Sequence, residues 1–166
     1  MPSPITPAQQ LRFVTVTADD PRAKPLLDEL AVEYAQRYES TTPTVMAWLK
    51  SVPAAEFAPP DGGFLIGEVD GVAVTGGAFQ RFDAQTAELK RIWTGREHRR
   101  AGYATALLVE LENVIAQRGY RRVYLTTGHR QPEAEALYVS TGYTRLPAPL
   151  PARGPVFPIA FVKVLS

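Results

Sequence analysis

Between residues 87 and 127 the spacing of apolar residues changes twice, and this constrains the fold more than any other feature of the chain. Ala87–Thr94 (AELKRIWT) reads as a strand. Ala104, Leu107, Leu108, Leu111, Val114 and Ile115 then recur at helical spacing, and Gly119 follows as a stop. Val123–Thr127 is a short apolar strand. Strand 87–94, helix 103–118 and strand 123–127 form a β-α-β unit. Its two strands should therefore lie parallel, because the helical crossover returns the chain to its starting edge.

The flanking segments read differently. Leu11–Val16 alternates in strand fashion, after a proline-containing lead-in over residues 1–10 read as a flexible tail. Asp19-Asp20-Pro21 has the form of a helix start, and Leu26, Leu27, Leu30, Ala31, Tyr34 and Tyr38 form a stripe that carries the helix towards Glu39. Thr44–Lys50 reads as a short second helix, and Ala54–Gly63, rich in Pro and Gly, as a loop. Asp70-Gly71 between two apolar runs predicts a tight hairpin, because that turn needs positive φ. Strands 63–69, 72–82 and 87–94 then make an antiparallel meander. Pro132 with Glu133 and Glu135 opens a helix that Gly142 ends, residues 147–158 hold five prolines in a stiff loop, and Ile159–Leu165 closes the chain as a strand. The expectation is one domain over 11–166.

Composition removes whole classes of chemistry. Without cysteine there is no disulfide scaffold, zinc-thiolate site, iron–sulfur cluster or cysteine nucleophile. His98 and His129 are the only histidines and read as surface residues, so no metal is expected. No apolar run approaches the ~20 residues of a membrane span, and MPSPITPAQQ lacks the basic start and apolar stretch of a secretory signal. A cytoplasmic protein without a membrane partner is the expectation. The net charge of +1 conceals an uneven distribution: −6 over residues 1–89, +5 over 90–122 and +2 over 123–166. An anionic ligand on the middle segment and a cationic one facing the first half would fit. Nucleic acid is not expected, since the basic stretch is offset by that acidic half and lacks interleaved aromatics.

The middle segment contains Arg99-Arg100-Ala101-Gly102-Tyr103-Ala104-Thr105. This is a glycine turn entering a helix whose first turn is small or polar. The first amides of a helix lack internal partners and, with the helix dipole, attract anions. With two arginines beside them, they form a plausible pyrophosphate cradle. It is not a Walker loop, having no Gly-Lys-Ser/Thr.

The strand, Arg99-x-x-Gly102-x-Ala104, the leucine-rich helix, Gly119-Tyr120, the next strand, then Ala136-Leu137-Tyr138 and Gly142-Tyr143 together resemble the acyl-CoA-dependent N-acetyltransferases of the GNAT superfamily. The resemblance covers Ala87–Tyr143. It implies an α/β fold, a three-layer α/β/α sandwich whose mixed, mostly antiparallel sheet splays at its central parallel pair. It implies acetyl-CoA as co-substrate, with backbone groups of Ile92, Trp93 and Thr94 along the pantetheine and the amides of Arg100, Ala101, Gly102, Tyr103, Ala104 and Thr105 around the pyrophosphate. Arg99 takes the family's Gln/Arg position, Tyr138 that of a tyrosine that often protonates the departing thiolate, and Glu88 that of a general base in some members. Gln131 stands where the family often has Asn. Pairing into a homodimer is common in the family.

Acetyl transfer to an amine suits these residue types. An ammonium of pKa ~10.4 leaves only about one molecule in 10³ neutral near pH 7, so a carboxylate such as Glu88 would assist by taking the proton. An unpaired amide can hold the developing oxyanion, and a tyrosine can supply a proton to the thiolate. Glu88 could equally be a strand carboxylate paired with a neighbouring cation, and Tyr138 a packing aromatic. Tyr34, Tyr38 and Trp48 suit either an acceptor pocket or the core, and the loop 147–158 either a lid or an edge cover. The expected acceptor is a small-molecule or peptide amine. A catalytically silent acyl-CoA-binding module is the alternative.

Overall fold

The computed structural model describes residues 10–128, 131–151 and 157–166. Almost all of the expected tail, His129 and much of the proline loop lie outside them. Among the described residues, seven strands form one sheet in the order β1-β2-β3-β4-β5-β7-β6. They are β1 (Arg12–Thr15), β2 (Gly63–Val69), β3 (Val72–Asp83), β4 (Thr86–Thr94), β5 (Arg122–Thr127), β6 (Thr144–Arg145) and β7 (Ile159–Val164). The α-helices of the described residues are α1 (Lys24–Arg37), α2 (Thr42–Lys50), α3 (Tyr103–Gln117) and α4 (Pro132–Ser140). Only β4 and β5 run parallel; the other pairs are antiparallel.

Local chemistry accounts for most boundaries. Asp20 caps a single 3-10 turn, Pro21–Ala23, by accepting from the Arg22 amide, and α1 follows it. Thr41 caps α2 through its hydroxyl, with Pro43 in the first turn. The hairpin between β2 and β3 has positive φ at both Asp70 (51°) and Gly71 (77°), the combination its tight turn requires. The loop 54–63 is not featureless. It contains a 3-10 turn, Ala54–Phe57, that buries the Phe57 ring against Phe64. The sequence does not reveal β6, a two-residue strand, nor the insertion of β7 between β5 and β6.

The sheet divides two cores, giving the expected three layers. On one face, Leu107, Leu108, Leu111 and Ile115 of α3 and Tyr138 of α4 pack on Leu65, Phe79, Leu89 and Leu125. On the other, Leu26, Leu27 and Leu30 of α1 and Val45 and Leu49 of α2 pack on Phe64, Ile66, Ala78 and Trp93. Phe64, Leu65 and Ile66 alternate between these cores, as a strand buried on both faces must.

Strand β4 is irregular on both of its edges. Its parallel pairing with β5 covers only Thr86–Arg122, Ala87–Val123 and Glu88–Tyr124, so the strands part beyond Glu88. On the other side, Gly76 faces Trp93 while Ala78 faces Lys90. One residue of β3, Gly77, thus spans two of β4, a bulge centred on Arg91 at φ 58°. Glycine is needed at position 77, because a Cβ there would lie 2.6 Å from the Ile92 side chain.

Candidate active site

The parting of β4 and β5 opens a cleft of about 1970 Å³ that runs through the sheet between the two helical layers. At one end stands α3. Gly102 precedes its first turn at φ 84°, and no side chain caps the helix. A Cβ at Gly102 would meet nothing within 4 Å, so the left-handed backbone, not crowding, calls for glycine here. The first intrahelical bond is donated by the Ala106 amide to the Gly102 carbonyl, 3.1 Å. The amides that precede it have no helical carbonyl to bond, and the N-cap glycine offers them no side-chain acceptor.

The predicted cofactor residues gather here, with one exception. Ile92, Trp93, Thr94, Arg99, Arg100, Gly102, Tyr103, Ala104, Thr105 and Gln131 all line the cleft, whereas Ala101 does not. Two of them have partners that the sequence does not disclose. The Arg99 guanidinium donates to the Glu33 carboxylate of α1 and, at 3.3 Å, to the Thr94 carbonyl. The Gln131 amide donates to the Tyr38 hydroxyl, 3.2 Å. That hydroxyl packs so closely on Gly128 that any Cβ there would displace it. Arg100 is exposed at φ 64°. His98 is half-buried beside Tyr103, ring centroids 6.3 Å apart, and also lines the cleft, so it is not the surface residue expected.

Glu88 lies where the strands part and is only 6% exposed. One carboxylate oxygen accepts from the Gln80 amide and the other pairs with Lys90, both at 3.2 Å. The neighbouring-cation arrangement therefore exists, on a residue that also faces the cleft. The Gln80 carbonyl oxygen is buried without a hydrogen-bond partner among the described residues. An unpaired buried acceptor of this kind is costly and awaits a donor.

Across the cleft, Tyr138 is 5% exposed, its ring held between Tyr143 (5.6 Å between centroids) and Phe161 (5.7 Å). It is thus both packed and a cleft residue. Burial, with the neighbouring Tyr34 hydroxyl adding to it, pushes its pKa well above the usual phenol value. Tyr138 therefore carries its proton at neutral pH, while the same burial makes it a weaker acid than a free phenol. Tyr34 is raised to about 12 by burial.

Further along the cleft, Tyr34, Tyr38 and Trp48 surround Phe157, with centroid separations of 6.4, 6.1 and 6.0 Å. Trp48 remains 36% exposed, so these rings cluster at an open wall of the cleft instead of in the deep core. The described end of the proline loop, Phe157, covers this wall. Sequence reasoning misses Phe157, Gln80, Glu33 and Arg91. For Arg91 a signal exists: the inward apolar positions run 87, 89, then 92, a change of parity that betrays the extra residue.

Among the described residues, no group of three or more histidines and carboxylates could hold a metal ion, and no helix is long and apolar enough to cross a membrane. No curated protein matches the sequence. Many solved structures share the fold. A protein from Klebsiella pneumoniae assigned as an acyl-CoA N-acyltransferase has a TM-score of 0.73 at 24% identity, over 94% of this chain and 98% of that one. The PaiA N-acetyltransferase of Thermoplasma acidophilum, solved with coenzyme A, gives 0.72 at 14% identity, over 93% and 99%. A GNAT acetyltransferase of Elizabethkingia anophelis with acetyl-CoA bound gives 0.63 at 16% identity, over 95% and 99%. The profile of the acetyltransferase (GNAT) family matches residues 23–143, so this chain, with its split parallel strand pair and uncapped glycine-led helix, belongs to the GNAT family of acetyltransferases.

Proposed function

We propose that the protein transfers an acetyl group from acetyl-CoA to a primary amine by direct attack. The observation that carries this reading is the opening of β4 from β5 at Glu88, leading to the uncapped start of α3. The amides of Gly102 to Thr105 would hold the diphosphate, a cradle whose small residues let an anion approach the backbone. The freed edge of β4 over Ile92–Thr94 would hold the pantetheine arm. The thioester supplies the acyl group and a thiolate leaving group.

The chain's own residues do the rest. Glu88, in the cleft beside the orphaned Gln80 carbonyl, receives the acceptor's ammonium and takes its proton. An amide on the open β4 edge steadies the negative charge that develops on the acyl oxygen. Tyr138, protonated and facing the cleft, gives a proton to the departing sulfur. The packed rings around it fix its hydroxyl, which favours orientation over mobility. Arg99, tied to Glu33, joins α1 to the segment before the cradle; its positive charge remains near the diphosphate site.

The test is calorimetric titration with acetyl-CoA, followed by thiol release across a panel of amines. Micromolar binding with turnover of at least one amine is expected. Absence of acetyl-CoA binding at millimolar concentration overturns the proposal. Tight binding with no turnover of any amine would favour the silent module.

A further inference from the structure

Of the arginines that line the cleft without a carboxylate partner among the described residues, Arg81 and Arg100 are exposed, whereas Arg91 is half-buried. Lys90, Arg99 and Arg37 each have a carboxylate partner, in Glu88, Glu33 and Glu133. Among the described residues Arg91 has none: its guanidinium donates to the Leu49 carbonyl at the end of α2 and lies over the Phe57 ring at 4.8 Å. It is half-buried, and desolvation alone lowers its pKa, with no acidic neighbour to offset it. A guanidinium carries five N–H donors, and the single bond to Leu49 leaves most of them for another acceptor. Its backbone also sits at φ 58°, where glycine would be easier. The bulge turns this side chain onto the α1/α2 face, against Phe57, away from the α3 face of the cleft. The side-chain contacts of Arg91 are with the end of α2 and with Phe57, not with the segment that leads into α3.

Glu88 and Arg91 lie three residues apart on β4 and line the same cleft. Their Cα atoms are therefore about 10 Å apart or slightly less across the bulge, a span that two side chains and a small bifunctional molecule fill. The acidic end offers the Glu88 carboxylate and the unpartnered Gln80 oxygen to an ammonium. The basic end offers a planar fork of donors, whose geometry matches a carboxylate or a phosphonate. In the same cleft, the Trp48, Tyr34 and Phe157 wall accommodates an apolar substituent.

We infer that Arg91 is the anion-recognition residue of the acceptor site, and that the acceptor is an amine that also carries an oxyanionic group, as an α-amino acid does. This rests on the acetyltransferase reading above. The assay is direct binding, measured by calorimetry with coenzyme A present, so it does not depend on turnover. The probes are matched compounds: alanine and ethylamine, lysine and cadaverine, and phenylalanine, its phosphonate analogue and phenethylamine. The expected result is a 10- to 100-fold preference for the anionic member of at least one set. The carboxylate and phosphonate members then tell which oxyanion is read. In Arg91→Gln, whose amide can still donate to the Leu49 carbonyl, that preference falls below about threefold while acetyl-CoA affinity is unchanged. With any amine that turns over, the loss appears in KM more than in kcat. If no set shows preference for its anionic member, or Arg91→Gln keeps the preference, the inference is wrong. Failure of acetyl-CoA itself to bind is a different outcome: it removes the acetyltransferase reading and the inference that rests on it.

Discussion

Replacing Glu88 with Gln tests the proposed base without disturbing the frame. The amide has the same shape and can still accept from Gln80, so only the charge is lost. Lys90 loses its partner at 3.2 Å, but it keeps contact with water, its side chain being 30% exposed. Because Glu88 itself is buried, the stability cost should be about 1–3 kcal/mol. The kinetic cost is set by the acceptor. With an amine pKa of ~10.4, about one molecule in 10³ is neutral at pH 7, and without a base only that fraction can attack. The variant should lose about 10²–10³ in kcat at pH 7. The neutral fraction grows about tenfold per pH unit, so the ratio of wild type to variant should shrink by the same factor through pH 8 and 9. Initial rates of thiol release from pH 6.5 to 9.5, at saturating acetyl-CoA, read this directly. A ratio that stays constant across that range, or a loss within about threefold at pH 7, would refute the reasoning and leave Glu88 as the ion-pair partner of Lys90.

Tyr138→Phe retains the ring contacts with Tyr143 and Phe161, so unfolding should shift little while kcat drops about 10- to 10³-fold; equal rates would remove the hydroxyl from the reaction. Gly102→Ala forces a Cβ into the left-handed region without a steric clash, and the strain of about 1–2 kcal/mol should appear as weaker acetyl-CoA binding measured by calorimetry. Leu111→Ala at the fully buried centre of α3 should cost about 2–5 kcal/mol in urea unfolding, with KM for acetyl-CoA little changed in the folded fraction. Tyr34, raised to about 12, and Tyr138 and Tyr143, also raised by burial, hold their protons more tightly folded than unfolded. The stability they confer is complete below pH 10 and is lost as pH rises through their folded values. Thermal unfolding should therefore fall steeply between pH 10 and 12, and a flat profile there would count against their burial.

How legible each feature is in the sequence depends on the range over which its interactions act. The β-α-β frame is legible because hydrophobic period is a local property, and the Asp70-Gly71 turn because positive φ selects residue type at once. The cradle is legible because Gly102 both ends a turn and starts a helix. The destinations of long side chains are not. Arg99 meets Glu33 across 66 positions of sequence, and nothing near Arg99 indicates that the α1 carboxylate would take its guanidinium. The bulge at Arg91 leaves a trace in the parity of Ala87, Leu89 and Ile92, but its effect, turning a cation onto the α1/α2 face, depends on Gly77 opposite. The place of β7 between β5 and β6 is a choice of sheet order, which strand composition does not encode.

The short seam between β4 and β5 has a mechanical consequence. With only three rungs joining β4 to β5, strands β1 to β4 and strands β5 to β7 should move as two plates meeting along a crease near Ala87 and Val123. At the far rim, Glu29 holds the Arg96 amide at 2.6 Å and Glu33 holds Arg99, so α1 is a latch on the segment that leads from β4 into α3. Cutting the latch with Glu33→Gln should loosen the rim while leaving the crease intact. Amide exchange would then quicken at residues 94–99 and stay slow at 86–88.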